Sequence, residues 1–389
     1  MKKLIRNVRI VDGGQITPGS ILIDEGKVKA VLPKDTDADA EIIEGEGLYA
    51  SAGFIDTHTH GGGGYDFMDG TAEAFMGAGR MHLSHGTTTI VPTTLSSSLE
   101  GLVQSVKVFR EAKEAMAEEQ YMPGMHLEGP YFAMNQRGAQ DPRYIKDPDP
   151  EEYQKVIEIA DGAIIRWSVA PERKGAMEMG DYLTAHGILP SIGHTDATYA
   201  DCVEALKHGY RHVTHLYSCT STITRKDGFR ILGVTESAYC LDGLTVEVIA
   251  DGCHLPPELL RMIVKCKGVD KVSMVSDSLR PAGLDVKESI SGSLTDGQRC
   301  IIEDGVAKLP DHSAFAGSIA TADRLVRTMW KLAGVPLSDT IRMMSENPAR
   351  LIGVDGRKGR LLPGKDADIV LFDENVQVKA VYYMGRKVS

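Results

Sequence analysis

The chain has 389 residues, 42% of them hydrophobic and 25% charged, a balance that supports a sizeable core and excludes a disordered chain, a collagen-like repeat or a small disulfide scaffold. Forty-three Lys and Arg against 54 Asp and Glu leave a net charge of -11. That charge argues against nucleic acid and anionic membrane as partners, and leaves only a local basic pocket for one small anion.

Residues 1–50 read as short alternating strands at 8–11, 20–24 and 27–31, separated by the turns Asp12-Gly13-Gly14 and Glu25-Gly26. Arg6 and Asp12 interrupt the amino-terminal apolar residues before the h-region of a signal peptide develops. No later run approaches the roughly 18 apolar residues of a membrane helix. The six cysteines, Cys202, Cys219, Cys240, Cys253, Cys266 and Cys300, form no CxxC pair. A zinc ribbon or redox motif is therefore not expected, and the thiols are expected to be reduced in a cytoplasmic protein.

From residue 53 the rhythm changes. Apolar, β-branched runs at 53–57, 87–91, 123–127, 163–169, 188–192, 211–214, 244–250 and 271–276 read as eight strands. Amphipathic stretches of helical period lie between most of them, as at 99–118, 150–159, 199–207 and 257–265. Three helices are expected to end on Ser84-His85-Gly86, Ala185-His186-Gly187 and Lys207-His208-Gly209. A His suits the negative end of a helix, and Gly takes the left-handed position that follows. Strands alternating with helices imply parallel pairing, and eight of them over about 250 residues fit a (β/α)8 barrel. The competing doubly wound sheet would carry a GxGxxG turn after its first strand. Here that place reads His58-Thr59-His60-Gly61-Gly62-Gly63-Gly64.

The carboxyl end returns to the style of the amino end, with strands at 367–372 and 376–383 and the turn Met384-Gly385. Neither end closes a core alone. The expected fold is α/β: a TIM-like (β/α)8 barrel over residues 51–354, with a small β-sandwich domain built from residues 1–50 and 355–389.

A barrel of this kind carries its chemistry at the carboxyl ends of its strands. His58 and His60 follow the first strand, Glu128 the third, His194 the fifth, His215 the sixth and Asp277 the eighth. Each has a structural alternative. Glu128 reads equally as a surface acid, His194 as a helix-entry residue beside the N-cap candidates Thr195 and Asp196, His215 as a core histidine, and Asp277 as a cap. Jointly, six metal-suitable or proton-transferring groups at matching strand ends point to one site. His85, His186 and His208 belong to the helix ends, and His82 and His212 read as structural. His126 shares a pleat face with Glu128, and His312 falls in a loop. His254 follows the seventh strand and faces the same mouth as a candidate substrate contact.

The motifs Gly53-Phe54-Ile55-Asp56-Thr57-His58-Thr59-His60-Gly61, Gly86-Thr87-Thr88, His126-Leu127-Glu128-Gly129-Pro130, Gly193-His194-Thr195-Asp196-Ala197 and Thr214-His215-Leu216-Tyr217 occur in this order. They are followed by Ala250-Asp251-Gly252-Cys253-His254, Ser276-Asp277, Asn347-Pro348-Ala349-Arg350 and 359–368. In this set the chain resembles the amidohydrolase superfamily, and within it the amino-sugar deacetylase branch. The resemblance implies a divalent ion (Zn, Fe, Mn or Co) bound by Glu128, His194 and His215. It further implies a second ion bound by His58 and His60 with Glu128 bridging, so that each chain holds one or two. Asp277 is implied as general base and then general acid. The implied reaction is hydrolysis of N-acetylglucosamine-6-phosphate to glucosamine-6-phosphate and acetate, by a homodimer whose partner chain reaches the phosphate.

Departures from the family pattern concern the substrate. Ser218-Cys219-Thr220 stands where Asn-Ala-Met is usual and backbone groups hold a phosphate. The family's phosphate-binding Arg corresponds to the neighbourhood of Lys226, with Arg225 and Arg230 adjacent. Arg280 stands where small residues are usual, as a relocated anion contact or a surface change. Gln140 replaces a carbonyl-polarising His and offers a neutral amide to the substrate. Ala139, Phe315, Ala316 and Gly317 match substrate-lining positions. The alternatives are an amidohydrolase acting on a non-phosphorylated or galacto-configured N-acetyl sugar, a cyclic amide or an N-acyl amino acid. From another class, a non-catalytic scaffold or binding protein is disfavoured because all six site positions are intact.

Overall fold

The computed structural model describes residues 2–389; Met1, the first residue of the expected β-sandwich domain, lies outside them. Eight parallel strands, Phe54–Thr59, Thr87–Thr94, Met125–Glu128, Ile164–Val169, Leu189–Ile192, His212–Val213, Thr245–Ile249 and Val272–Val275, neighbour one another in chain order. The first and eighth meet where the Asp277 N–H donates to the His58 carbonyl at 2.9 Å. This completes the (β/α)8 barrel expected from the sequence. The runs are largely apolar on both faces because helices cover the outside and side chains fill the inside. Phe54, Ile90, Leu127, Trp167, Val213 and Val246 are all fully buried.

Two strands differ from their predicted limits in ways that matter. The first runs on to Thr59, so His58 lies on the strand itself rather than after it. The sixth is only His212–Val213, because the backbone turns left-handed at His215 (φ 27°). The helix Tyr199–Lys207 starts on a reciprocal cap between Thr198 and Asp201 and stops at His208. His85, His186 and His208 sit at the ends of their helices, each followed by a glycine of positive φ. At Gly209 (φ 88°) no other residue fits, since a Cβ would lie 1.9 Å from Thr184 Oγ1.

The two chain ends share one eight-stranded sheet. Tyr49–Ala52 pairs antiparallel with Ile369–Phe372 on one side and parallel with Lys3–Asp12 on the other. Ile5, Val8, Ile21, Ile23, Ala50, Ile369 and Leu371 form a core separate from that of the barrel. Among the described residues, no helix is long and apolar enough to cross a membrane.

Past the eighth barrel strand the chain forms a feature absent from the sequence reading. Glu288–Ser291, Gln298–Glu303, Val306–Lys308 and Phe315–Gly317 build an antiparallel sheet over the barrel mouth. Arg280 anchors it. The guanidinium is bidentate to Asp69 at 2.7 Å for both contacts, and it donates to the carbonyls of Gly64, Ile290 and Gly292. Arg280 is therefore neither a relocated anion contact nor a surface change: every side of its fork is already taken by the protein.

Candidate active site

Six side chains converge at the carboxyl end of the barrel, each delivered by its strand. Three of them, His194 (φ 48°), His215 (φ 27°) and Asp277 (φ 47°), have left-handed backbones although none is Gly. Such conformations cost of order 1–3 kcal/mol each and persist only where the surroundings enforce them. Here they tip side chains off strand ends and in toward the barrel axis.

Glu128 is the hub. Its Oε1 lies 2.9 Å from His215 Nε2, 3.2 Å from His194 Nε2 and 3.4 Å from His58 Nε2. Its Oε2 lies 3.4 Å from His60 Nε2. Asp277 Oδ1 sits 3.0 Å from His60 Nε2 and 3.4 Å from His58 Nε2. All six residues are buried.

The other ring nitrogens show how the site is prepared. His194 Nδ1 is held by the Gln136 carbonyl at 2.9 Å, His215 Nδ1 by the Ser218 carbonyl at 3.0 Å and His60 Nδ1 by the Thr93 carbonyl at 3.3 Å. His58 Nδ1 donates to Glu247 Oε1 at 2.6 Å. A carbonyl or carboxylate acceptor fixes the proton on Nδ1 and turns the Nε2 lone pair inward, the arrangement found behind metal-ligating histidines. His58 Nε2 is buried without any hydrogen-bond partner. Burial works against charge on His58 and His60. Glu247, Glu128 and Asp277 nevertheless raise the first to about 9, and Asp277 and Glu128 raise the second to about 10. The carboxylates thus stabilise positive charge at the imidazole tips. The donors fall into two triads, Glu128–His194–His215 and His58–His60–Asp277, with ligand atoms within 4.8 Å of one another in each. An orphaned imidazole nitrogen, inward lone pairs and a surplus of negative charge all fit a divalent cation.

Two contributors escape a reading of strand ends. Glu247 lies inside the seventh strand and is fully buried. It accepts from His58 and from Arg166 Nη1 at 2.5 Å, and it contacts His212 Nε2 at 3.3 Å. Burial opposes its charge, but Arg166 and His58 hold its carboxyl well below the usual range. Arg166 in turn donates to Ser191 and Thr214. This polar layer lies directly beneath His58. The sequence signal was a charged residue embedded in each of two buried strands.

The site opens into a cavity of about 270 Å³. Ala139, Gln140, Ser218, Cys219, His254, Phe315, Ala316 and Gly317 all line it. His254 is oriented by Asp251 Oδ2 at 2.8 Å and meets the Phe315 ring edge-on. Gln140 does not offer a free amide as expected: Nε2 donates to Glu128 Oε2 at 2.7 Å, and Oε1 accepts from the Ser96 N–H at 2.7 Å. Lys226 and Arg230 are not brought to this cavity. They lie on an exposed hairpin, Thr224–Lys226 and Phe229–Ile231, outside its lining. Of the other histidines, His82 is tied to Gly61 and lowered by burial to about 4, His126 bonds Ser168, and His312 pairs with Glu303 at the surface.

His194→Ala is expected to lower metal affinity by more than the ~10–100-fold typical of an outer-layer change. Elemental analysis after dialysis tests this, and unchanged metal content would remove His194 from the ligand set.

Comparison with known proteins gives a consistent result. Residues 49–388 match the profile of the Amidohydrolase family. The chain is 31% identical over 382 residues to N-acetylglucosamine-6-phosphate deacetylase of Bacillus subtilis, covering 96% of this chain and 94% of that one. It is 27% identical over 395 residues to N-acetylgalactosamine-6-phosphate deacetylase of Escherichia coli O157:H7, covering 100% of both. A mutant of the Mycobacterium smegmatis N-acetyl-D-glucosamine-6-phosphate deacetylase, solved in complex with N-acetyl-D-glucosamine-6-phosphate, superposes with a TM-score of 0.90. Its identity is 29%, and 100% of this chain and 99% of that chain are covered.

Proposed function

Because the chain belongs to the amidohydrolase family, we propose that it hydrolyses N-acetylglucosamine-6-phosphate to glucosamine-6-phosphate and acetate. The observation that carries the reading is the convergence of four inward-facing imidazole nitrogens on Glu128 and Asp277 at the barrel mouth. Glu128, His194 and His215 would hold a divalent cation, with His58, His60 and Asp277 available to a second. Such an ion polarises an amide carbonyl and makes a bound water more acidic. Imidazole and carboxylate donors suit Zn, Fe, Mn or Co.

The chain's own groups then divide the work. Asp277 Oδ1 takes the proton of the attacking water and delivers it to the departing amine nitrogen, so that acetate and the free amino sugar separate. Glu247 and the Gln136, Ser218 and Thr93 carbonyls keep the imidazole protons on Nδ1, so that the Nε2 lone pairs are presented to the cation. His254, Ala139, Ala316 and Gly317 bound the sugar in the cavity of about 270 Å³.

The phosphate contact is assigned to a homodimer. The hairpin carrying Arg225, Lys226 and Arg230 stands away from its own cavity, and Phe229 at its turn is 75% exposed. A second copy would cover Phe229 and receive the cationic side chains. Sedimentation at the mass of a single chain would remove this assignment. Six free cysteines support a cytoplasmic location. A galacto-configured 6-phosphate is the second reading, favoured by the full-length match to the Escherichia coli relative.

The deciding measurement is kcat/KM on N-acetylglucosamine-6-phosphate, N-acetylgalactosamine-6-phosphate and unphosphorylated N-acetylglucosamine with metal-reconstituted enzyme. The gluco-phosphate is expected to exceed the unphosphorylated sugar by roughly 10–100-fold, the worth of one hydrogen bond to a charged group. Equal rates would remove the phosphate from the substrate, and no turnover of any of the three would overturn the reading.

A further inference from the structure

Glu128 presents two oxygens to two triads, and they are not equivalent. Oε1 is surrounded by His194, His215 and His58 at 3.2, 2.9 and 3.4 Å. Oε2 has His60 Nε2 at 3.4 Å, but its nearest neighbour is Gln140 Nε2 at 2.7 Å. The direction of the Gln140 amide is forced. The Ser96 N–H can only donate, so it must face Oε1 of Gln140, and the Glu128 carboxylate can only accept, so it must face Nε2.

The amide is also fixed in place. Gln140 is 4% exposed and its N–H bonds the Arg137 carbonyl at 2.9 Å. Arg137 Nη1 returns to the Gln140 carbonyl, and Gln298 holds the neighbouring Ala139 carbonyl at 3.1 Å. For Glu128 to bridge two ions evenly, Oε2 must give its charge to the His58–His60–Asp277 side. A short hydrogen bond there draws that charge toward the amide and prevents the carboxylate from rotating.

We infer that Gln140 is a positioning residue that commits Glu128 to the His194–His215 side, so that the two ion sites differ in affinity and fill in sequence. The inference rests on the metal-dependent reading above and extends it to how the two triads share their carboxylate. An apolar residue at position 140 could make neither bond: the Ser96 N–H needs an acceptor where Glu128 needs a donor.

The test uses the full-length protein equilibrated against a buffered series of free Mn(II). Mn per chain is read by elemental analysis, and electron paramagnetic resonance separates an isolated ion from an exchange-coupled pair. The wild type is expected to take up a first ion with the signal of an isolated centre, then a second at concentrations about 10–100-fold higher. Gln140→Met keeps the length and removes the donor. Its two steps are expected to merge and the coupled signal to appear from the first additions, with unchanged circular dichroism and a slightly lowered Tm, because the buried Ser96 N–H loses its acceptor. Gln140→Ala serves as a second variant. The inference is overturned if the wild type fills both sites in one step, or if both variants titrate as the wild type does. If no form takes up Mn(II), the metal-dependent reading itself fails, and this inference with it.

Discussion

Asp277→Asn is expected to lower kcat by roughly 10²–10⁴-fold, the range attributable to a positioned acid–base group, while the protein keeps its fold and the ion at Glu128, His194 and His215. The backbone at this position is held independently of the side chain. Its N–H donates to the His58 carbonyl at 2.9 Å and its carbonyl accepts from the Ser318 N–H at 3.1 Å. The substitution therefore changes little beyond one proton-accepting oxygen. Asn preserves the volume and a carbonyl that can lie near His60, but it cannot take a proton from water or return it to an amine. Because the residue belongs to the His58–His60 triad and not to the other, metal content should fall by one ion at most. Turnover within a few-fold of wild type would remove Asp277 from proton transfer. Loss of all metal would make it a ligand first and a base second.

Arg166→Met is expected to destabilise the protein by about 3–5 kcal/mol, the cost of breaking a buried ion pair from one side. Arg166 is 1% exposed and Glu247 fully buried, so the carboxylate left behind has no water to turn to. His58 and His212 would remain as its neighbours, and charging either imidazole itself carries a desolvation penalty. The double variant Arg166→Met with Glu247→Leu should recover much of that loss, because replacing both partners removes the uncompensated charge. It should not recover the ion at His58 and His60, since His58 would then lack the acceptor that keeps its proton on Nδ1. Urea midpoints and metal content read the two effects separately. A loss of under about 1 kcal/mol in the single variant would place the pair among the weakly coupled surface ones.

The barrel and its six strand-end groups were legible because both signals are local. An apolar run marks a strand, and the next residue marks the mouth. What stayed hidden depends on distant pairing. Arg280 reads as an odd residue after Asp277 until Asp69, 211 positions away, fills its fork. Lys226 and Arg230 follow the site closely in sequence, yet their hairpin carries them outward. Glu247 and Arg166 were visible in principle, as opposite charges in strands otherwise apolar. They sit inside their strands, one layer below the mouth, where no strand end marks them. Gln140 does fall beside the site, but its partners could not be read: whether an amide faces substrate or protein is decided by Ser96 and Glu128 together.

The shared terminal sheet carries a consequence for how the molecule is made. Tyr49–Ala52 leaves the ribosome early, but its antiparallel partner Ile369–Phe372 emerges only after the whole barrel has been synthesised. Throughout translation the early strands present an open edge and an uncovered apolar face that includes Ile5, Ile21 and Ala50. The last strands are what close it. A chain halted before residue 369 would thus display a sticky edge that the finished one conceals, so the last strands to be made act as a seal on the first.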